Sequence, residues 1–336
     1  MDTLELQRWE GNPILNPTGE GDWEAAAVCN PGAWYENGTV HLLYRASAEY
    51  RDYVIHLGLA TSPDGLHFTR ASDRPVFSPA AEGFDAGCVE DPRIVKFGDT
   101  FYITYAARPF PPYSYRKEEH QFPPDAPPAL VENWTRTGLA ASKDLRRFTR
   151  LGPITGDDVD NRDVVIFPEK VRGRYVRFER PLQWVGPRYG CDKPSIWLAY
   201  SDDLLHWSDF RLFAQSETEW EASKVGASTP PIRTDDGWLM IYHGVDANSV
   251  YRVGAMLLDL QDPTRIIARL PHPIFEPEAT YEREGHVPNV VFPAGNVVIG
   301  EELYVYYGGG DSVCAVATIS LRRLVAHLRD SARTPR

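Results

Sequence analysis

The chain carries at residues 61–68 the stretch Thr61-Ser62-Pro63-Asp64-Gly65-Leu66-His67-Phe68, a small residue and a serine followed by acidic turn residues and an aromatic. The same order of residue types recurs at 142–148 and 201–207, and a degenerate copy occupies 258–266. Each copy follows a short apolar run and leads into another β-prone segment. Because Asp and Gly favour tight turns between strands, each copy predicts a β-hairpin at the same place in a repeated unit.

Further strand-like runs lie upstream of the hairpins, at 40–44, 100–105, 175–178 and 238–242, and a last unit contains 303–307 and 315–319. The chain therefore holds about five units of about 60 residues, each reading as four strands. Four-stranded units repeated radially form a β-propeller. We predict an all-β fold in which residues 1–336 form a single five-bladed β-propeller. A β-sandwich with accidental similarity of its turns is the alternative.

Two segments fall outside this repeat. Residues 108–133 form a Pro-rich insert within the second unit. Such a long loop is either functional or a surface excursion, and the sequence does not decide between them. The C-terminal stretch 321–330 has helical spacing of its apolar residues, which predicts a short helix packed on the outside.

Composition limits the possible partners and locations. The net charge of −12 at pH 7 disfavours nucleic acid and anionic membranes, because the mean field repels phosphate. The four cysteines are widely spaced, so neither a disulfide framework nor a metal site is predicted. The first residues do not resemble a signal peptide, and no run approaches the roughly 20 apolar residues of a membrane span. We expect a cytoplasmic protein, and a homo-oligomer is an open alternative to a monomer.

The first strand of each propeller blade lines the central channel, where polar residues are costly unless they are used. The predicted starts of these strands are 30–33, 90–94, 167–170, 228–232 and 289–293. Glu90 and Asp91 are adjacent, and neighbouring residues on a strand face opposite sides, so we expect only one of them to face the channel. Asp91 is either catalytic or part of an Asp-Pro turn, and Glu169 is either functional or paired with Lys170.

Basic residues fall near the ends of inner or second strands in several units. Guanidinium groups bind phosphate through two parallel hydrogen bonds, so several of them around one point would hold a dianion. The alternative is that each one simply pairs with a nearby carboxylate. The residues concerned are Arg45, Arg162, Arg180, Lys224 and His243.

The sequence resembles glycoside hydrolase family 130. The similar blocks run in order from residue 11 to about 320. They include Asn30-Pro31-Gly32-Ala33, Tyr44-Arg45-Ala46, Val89-Glu90-Asp91-Pro92-Arg93, Phe167-Pro168-Glu169-Lys170, Tyr242-His243-Gly244-Val245, Asn289-Val290-Val291-Phe292-Pro293 and Tyr306-Tyr307-Gly308-Gly309-Gly310-Asp311. Each block is short, but together they are specific.

The resemblance implies a five-bladed propeller with β-mannoside phosphorylase activity, or with β-mannosidase activity in some branches. Asp91 would be the catalytic acid, acting through the 3-hydroxyl of the mannosyl unit, while phosphate attacks C1 and yields α-mannose 1-phosphate with inversion. Phosphate is then a co-substrate, and no cofactor is needed. The implied phosphate ligands are Arg45, Arg162, Arg180, Lys224, His243 and Asn161. The implied substrate ligands are Asn30, Glu90, Arg93, Glu284, Asn289, Asp311 and Tyr242, with Trp34 as an alternative stacking surface.

One position departs from the family pattern, since Glu179 precedes Arg180 where the phosphorylases usually have histidine. A carboxylate there would perturb the phosphate site, bind sugar, or serve as the base of an inverting β-mannosidase. A non-catalytic glycan-binding propeller and an arabinanase- or invertase-like hydrolase are further alternatives. The linkage (β-1,4 or β-1,2) and the acceptor sugar are open.

Overall fold

The computed structural model describes residues 4–19 and 21–333, and their strands form five antiparallel sheets arranged as the blades of a propeller. The N-terminal strand is β1 (Gln7–Arg8). Blade 1 contains β2 (Ala27–Glu36), β3 (Thr39–Ser47), β4 (His56–Ser62) and β5 (Thr69–Arg70). Blade 2 contains β6 (Cys88–Phe97), β7 (Thr100–Arg108), β8 (Arg136–Ser142) and β9 (Phe148–Pro153). The five-bladed all-β prediction is therefore confirmed.

The remaining blades follow in chain order. Blade 3 contains β10 (Asn161–Ile166), β11 (Tyr175–Pro181), β12 (Ile196–Ser201) and β13 (Trp207–Ala214). Blade 4 contains β14 (Lys224–Ala227), β15 (Ile232–Thr234), β16 (Gly237–Val245), β17 (Tyr251–Leu258) and β18 (Ile266–Arg269). Blade 5 contains β19 (Val291–Ile299), β20 (Glu302–Gly309) and β21 (Val313–Ser320).

The N-terminal strand completes the last blade. Gln7 pairs with Thr318, so β1 is the outer strand of blade 5 beside β21. Joining the two ends of the chain in one sheet covers an edge that would otherwise be open. The repeat pattern did not indicate this closure, because residues 7–8 do not resemble the outer strands of the other blades.

The turn motif closes the outer hairpins as predicted. In the first copy, Asp64 Oδ1 accepts the backbone N–H groups of Leu66 and His67, both at 2.9 Å. Ser62 Oγ accepts the N–H of Gly65 at 2.8 Å. The copies at Ser142 and Ser201 are closed in the same way. These turns lie at the end of each blade remote from the starts of the inner strands, so their role is structural.

Two predicted strand starts are wrong. The inner strand of blade 4 begins at Lys224, so residues 228–232 follow it. The inner strand of blade 3 is β10, and the segment that begins with Phe167 follows it instead of opening it. Glu169 lies in the connection to β11, where its carboxylate pairs with Arg233 at 2.6 Å on the surface. Pro168 lacks an N–H for the ladder, so here it marks the end of a strand.

The helices are few and peripheral. The C-terminal helix α3 (Leu321–Arg333) buries Leu324, Val325 and Leu328 in the core cluster shared by blades 4 and 5, which confirms the predicted helix and extends it. Two short helices are α1 (Pro128–Val131), in the insert, and α2 (Thr280–Arg283), before β19. Single 3₁₀ turns occupy Lys117–Glu119 and Glu219–Glu221. Among the described residues, no helix is long and apolar enough to cross a membrane.

Candidate active site

Three inner strands carry a bulge at the same position. In β6 the pairing register shifts between Glu90 and Arg93, and β2 and β10 shift at the corresponding points. Asn30, Asp91 and Asp163 occupy these bulges with left-handed backbone angles (φ 49°, 52° and 55°). Asn and Asp tolerate this conformation better than other residues with a Cβ atom. The bulges direct all three side chains to the same end of the channel.

A cavity of about 270 Å³ opens at this end of the propeller. The structure brings together in its wall eight of the predicted site residues, Asn30, Arg45, Glu90, Asp91, Arg162, Arg180, Lys224 and Asp311. They come from all five blades. Within residues 4–19 and 21–333, no cluster of His, Cys, Asp or Glu side chains is arranged to hold a metal ion.

Glu90 and Asp91 both face this cavity, so the expectation that only one of them would do so is wrong. The bulge inserts an extra residue and interrupts the alternation of side chains along β6. Burial raises the pKa of the Glu90 carboxyl, the positive charge of Arg45 opposes this rise, and the negative charge of Asp91 adds to it.

Arg45 is the centre of the acidic side of the cavity. Its Nη1 lies 3.0 Å from Asp91 Oδ1 and 3.2 Å from Glu90 Oε2, and its Nη2 lies 3.2 Å from Asp311 Oδ2. Asn30 donates from Nδ2 to the same Asp91 Oδ1 at 2.8 Å. Arg45 therefore holds three carboxylates in place. Of the two roles that the sequence left open for Arg45, the structure shows pairing with nearby carboxylates.

Cations from blades 3 and 4 form the opposite wall. Arg162 binds Asp160 through two hydrogen bonds of 2.8 and 3.0 Å. Arg180 contacts Asp163 Oδ2 through Nε at 2.7 Å and Nη2 at 2.6 Å. The Nη1 atom of Arg180 has no hydrogen-bond partner among the described residues. Because these carboxylates fix the guanidinium planes, the remaining N–H groups are pre-oriented for an anion.

Lys224 completes this basic wall. Burial, reinforced by the positive charge of Arg180, lowers the pKa of its ammonium group to about 8. Its Nζ lies 5.2 Å from the ring centroid of Tyr251, which also lines the cavity. An anion placed between Lys224 and Arg180 would relieve the repulsion between the two cations, so the wall is suited to phosphate.

His243 lies behind this wall and adds no positive charge to it. Its side chain is fully buried, with Nδ1 3.0 Å from Ser228 Oγ and Nε2 3.4 Å from Asp163 Oδ2. Burial lowers the pKa of the imidazole to about 3, although Asp163 acts in the other direction. The neutral His243 ring packs beside Asp163. The expectation that His243 is a cationic phosphate ligand is therefore not supported.

Asn161 and Glu179 are also buried away from the cavity. Asn161 donates from Nδ2 to Glu179 Oε2 at 3.2 Å, and Glu179 forms an ion pair with Arg177. Successive side chains of β11 face opposite sides, so Glu179 points away from the cavity that Arg180 lines. Glu179 is buried and does not line the cavity, so its proposed service as a hydrolytic base is not supported.

Arg93 is a brace beneath the cavity. Its guanidinium is buried and donates to the carbonyl oxygens of Asp91 at 2.6 Å and Ser228 at 3.1 Å. It also lies 5.5 Å from the ring centroid of Phe292. Arg93 therefore fixes the backbone of the bulge, and the structure does not place it in contact with the cavity.

The two predicted stacking residues are elsewhere. Tyr242 is buried in blade 4, where its hydroxyl donates to Glu221 at 2.7 Å and accepts from Arg269 at 3.2 Å. Trp34 packs edge-on against Phe101 at 5.8 Å between blades 1 and 2. Both expectations are wrong, because these side chains fill the space between blades instead of facing the channel.

Glu284 and Asn289 lie near the cavity without lining it. Glu284 is exposed at the end of α2. Asn289 accepts the backbone N–H of Tyr251 at 3.0 Å through its carbonyl, and the next residue, Val290, reaches the wall. Their predicted contacts with sugar hydroxyls are therefore not supported by their positions.

Several wall residues were not predicted. Asp163 could have been found by aligning the three bulged strands, because it occupies the position of Asn30 and Asp91. Tyr53 and Tyr113 come from connections without periodic patterning, so no comparable sequence pattern indicates them. The other unpredicted members of the wall are Ala106, Arg108, Pro112, Tyr251, Val287, Val290 and Phe292.

The mouth of this five-bladed propeller sets carboxylates on one side of a cavity against cations on the other, an arrangement suited to a carbohydrate-active enzyme. Residues 5–330 match the family model described as β-1,4-mannooligosaccharide phosphorylase, and the chain belongs to this family, glycoside hydrolase family 130.

Individual relatives agree with this assignment. A 1,2-β-oligomannan phosphorylase of Thermoanaerobacter sp. (strain X514) is 42% identical over 95% of this chain and 98% of its own. A β-1,2-mannobiose phosphorylase of the same organism is 37% identical over 96% of this chain and 99% of its own. The solved β-1,2-mannobiose phosphorylase from Listeria innocua, in complex with β-1,2-mannobiose, superimposes with a TM-score of 0.80 at 27% identity, covering 97% of this chain and 99% of that one.

Proposed function

We propose that the protein catalyses the inverting phosphorolysis of β-1,2-linked mannosides, releasing α-mannose 1-phosphate and a saccharide shortened by one mannose. The observation that carries this proposal is the placement of Asp91 across one cavity from Arg162, Arg180 and Lys224. An acid on one side and an anion site on the other are what displacement of a glycosidic oxygen by phosphate requires.

In the reaction, Asp91 gives its proton to the mannosyl 3-hydroxyl, which passes its own proton to the glycosidic oxygen. The bond between C1 and that oxygen breaks as a phosphate oxygen bonds to C1 from the opposite face. Phosphate is already an anionic nucleophile, so no second carboxylate is needed to activate it. Arg162, Arg180 and Lys224 hold the phosphate and orient it, which supplies much of the rate enhancement.

The acid is held by its neighbours. Arg45 and Asn30 both act on Asp91 Oδ1, so the acidic proton belongs on Oδ2. We therefore propose Arg45 chiefly as a positioning residue for the acid, and its contact with phosphate stays a prediction. Asn30, Glu90 and Asp311 remain our proposed ligands of the mannosyl hydroxyls, because they line the acidic side of the cavity.

The β-1,2 linkage is favoured by the relatives. The family description names a β-1,4 activity, whereas the two relatives at 42% and 37% identity are named for β-1,2-linked substrates. The test is to supply β-1,2-mannobiose and β-1,4-mannobiose separately with phosphate and to follow mannose 1-phosphate. We expect kcat/KM to be at least about tenfold higher for the β-1,2 isomer. An equal or reversed preference would contradict the linkage while leaving the reaction class intact.

Hydrolysis by an inverting β-mannosidase is the second candidate, and the geometry does not favour it. A base for water must be a free carboxylate set away from the acid. Asp163, the carboxylate on the far wall, is tied to Arg180, and the buried Glu179 is tied to Arg177. The cytoplasmic location and a homo-oligomeric state stay predictions.

A further inference from the structure

The insert is fixed at its base instead of hanging from the surface. Asn133 Oδ1 accepts the backbone N–H of Phe110 at 3.1 Å, and Nδ2 donates back to the Phe110 carbonyl at 3.2 Å. Arg108 donates to the Asn133 carbonyl at 2.8 Å. A Cβ at Gly87 would lie 2.0 Å from the Phe110 carbonyl carbon, so the insert also presses closely on the chain before β6.

Three insert residues, Arg108, Pro112 and Tyr113, line the cavity, and Tyr113 contributes an aromatic side chain. Its ring lies parallel to that of Tyr53, with centroids 5.0 Å apart and an interplanar angle of 7°. Its hydroxyl is hydrogen-bonded to His286 Nε2 at 2.7 Å. His286 in turn stacks on Tyr50 at 4.2 Å. Three connections, from blade 1, from blade 2 and before blade 5, therefore fix the orientation of this single ring.

Tyr113 still offers surface to a ligand. Tyr53 is 3% exposed and covers one face of the Tyr113 ring, yet Tyr113 itself is 42% exposed. A rigid, partly exposed aromatic ring in the wall of a polar cavity suits the C–H face of a sugar, because it buries apolar area at little cost in side-chain entropy.

The position of the ring relative to the two walls decides which sugar it meets. Tyr53, against which Tyr113 stacks, accepts a hydrogen bond from Arg45 Nη2 at 2.8 Å, and Arg45 binds Asp91. Tyr113 therefore belongs to the acidic side, across from the cations of blades 3 and 4. Inversion requires the nucleophile and the leaving group to lie on opposite faces of the mannosyl ring, so the acidic side receives the leaving saccharide.

We propose that Tyr113 is the stacking platform for the leaving saccharide, which is the acceptor in the reverse reaction, and that His286 holds the platform in place. This inference rests on the proposed phosphorolysis. It makes the insert a determinant of acceptor binding.

The reverse reaction separates the two substrates and therefore tests the platform. With α-mannose 1-phosphate and β-1,2-mannobiose as substrates, Tyr113→Ala should raise KM for the disaccharide by about tenfold and leave KM for mannose 1-phosphate within about twofold. Tyr113→Phe keeps the ring but loses the hydrogen bond to His286, so it should raise the acceptor KM by a smaller factor than Tyr113→Ala. His286→Ala should raise the same acceptor KM by a smaller factor, because the ring is no longer held.

Tyr35→Ala is the matched control, since Tyr35 is 36% exposed on β2 and lies outside the cavity wall. It should change neither KM. An unchanged acceptor KM in folded Tyr113→Ala, or an equal rise in both KM values, overturns the platform. If Tyr113→Ala does not fold, an unchanged acceptor KM in His286→Ala overturns it instead. A parent protein that releases no phosphate from mannose 1-phosphate with any acceptor overturns the proposed function itself.

Discussion

Arg45 Nη1 lies 3.0 Å from Asp91 Oδ1, and this contact organises the acidic side of the cavity. The same guanidinium reaches Glu90 and Asp311, so one cation holds three carboxylates within a small volume. Without it, the mutual repulsion of these carboxylates would displace Asp91. The ion pair is therefore part of the machinery that presents the acid.

Replacing Asp91 by asparagine tests the acid directly. Asp91→Asn keeps the size of the side chain and an oxygen that can accept from Arg45, but it has no proton to give. We expect kcat to fall by about 10²- to 10⁴-fold, measured as formation of mannose 1-phosphate. Asp99→Asn is the matched control, because Asp99 is an exposed turn residue paired with Lys143. An Asp91→Asn variant that kept most of the parent activity would exclude Asp91 as the acid.

Lys224→Met should affect stability and activity in opposite directions. Removing a largely desolvated cation relieves a cost of folding, so the melting temperature without phosphate should rise. The variant loses a charged hydrogen-bond donor to phosphate, so KM for phosphate should rise by about 10- to 100-fold. Lys143→Met, on the remote face, should change neither quantity.

Because Lys224 titrates near neutral pH, we expect phosphate binding to depend on pH. Its ammonium is charged below its pKa of about 8 and neutral above it, so phosphate binding should weaken as the pH rises through 8. KM for phosphate measured from pH 7 to 9.5 should increase in the parent protein. If KM for phosphate rose in the same way in Lys224→Met, the pH dependence would belong to another group.

His243 should make the protein sensitive to acid. The imidazole has a pKa of about 3 when folded and about 6.5 when unfolded, so between these values the unfolded chain binds a proton that the folded chain does not. The free energy of unfolding should then fall as the pH drops from 6.5 towards 3, by up to about 1.4 kcal/mol per pH unit. Urea titrations of His243→Gln should give a free energy of unfolding that depends less on pH than that of the parent protein. If the two proteins gave parallel pH profiles, the ring would be charged in the folded state.

Because Gly308 has no side chain, the Asn30 side chain can occupy the space beside it. A Cβ at Gly308 would lie 1.9 Å from Asn30 Oδ1, so Gly308→Ala must displace the side chain that donates to Asp91. We expect kcat/KM to fall by about tenfold. In an Asn30→Ala background, which removes the clashing atom, Gly308→Ala should have little further effect. Additive losses in the double variant would show that Gly308 acts elsewhere.

Local chemistry explains why the blades could be predicted. In the copies at Ser62, Ser142 and Ser201, the serine and aspartate bond to backbone groups within three residues, so each copy forms the same hairpin. The closure of blade 5 by β1 could not be predicted in this way, because a two-residue strand carries no periodic signal. Its place depends on a partner at Thr318, at the other end of the chain.

The sequence correctly predicted that Asp91 and Arg180 lie at one site, since both line the cavity. The site was mispredicted where backbone geometry intervenes. The bulge at Asp91 turns Glu90 to the cavity as well, and alternation along a strand cannot anticipate this. Tyr113 reaches the site through tertiary contacts of a long insert, which no local pattern encodes.

The central claim is that phosphate, held opposite Asp91, is the nucleophile. The most direct measurement is to incubate the protein with β-1,2-mannobiose, with and without inorganic phosphate, and to follow the products by ¹H and ³¹P NMR. The proposed mechanism predicts α-mannose 1-phosphate and mannose in equal amounts with phosphate, and no turnover without it. Release of free mannose at the same rate in both samples, or formation of the β-anomer of mannose 1-phosphate, would contradict it.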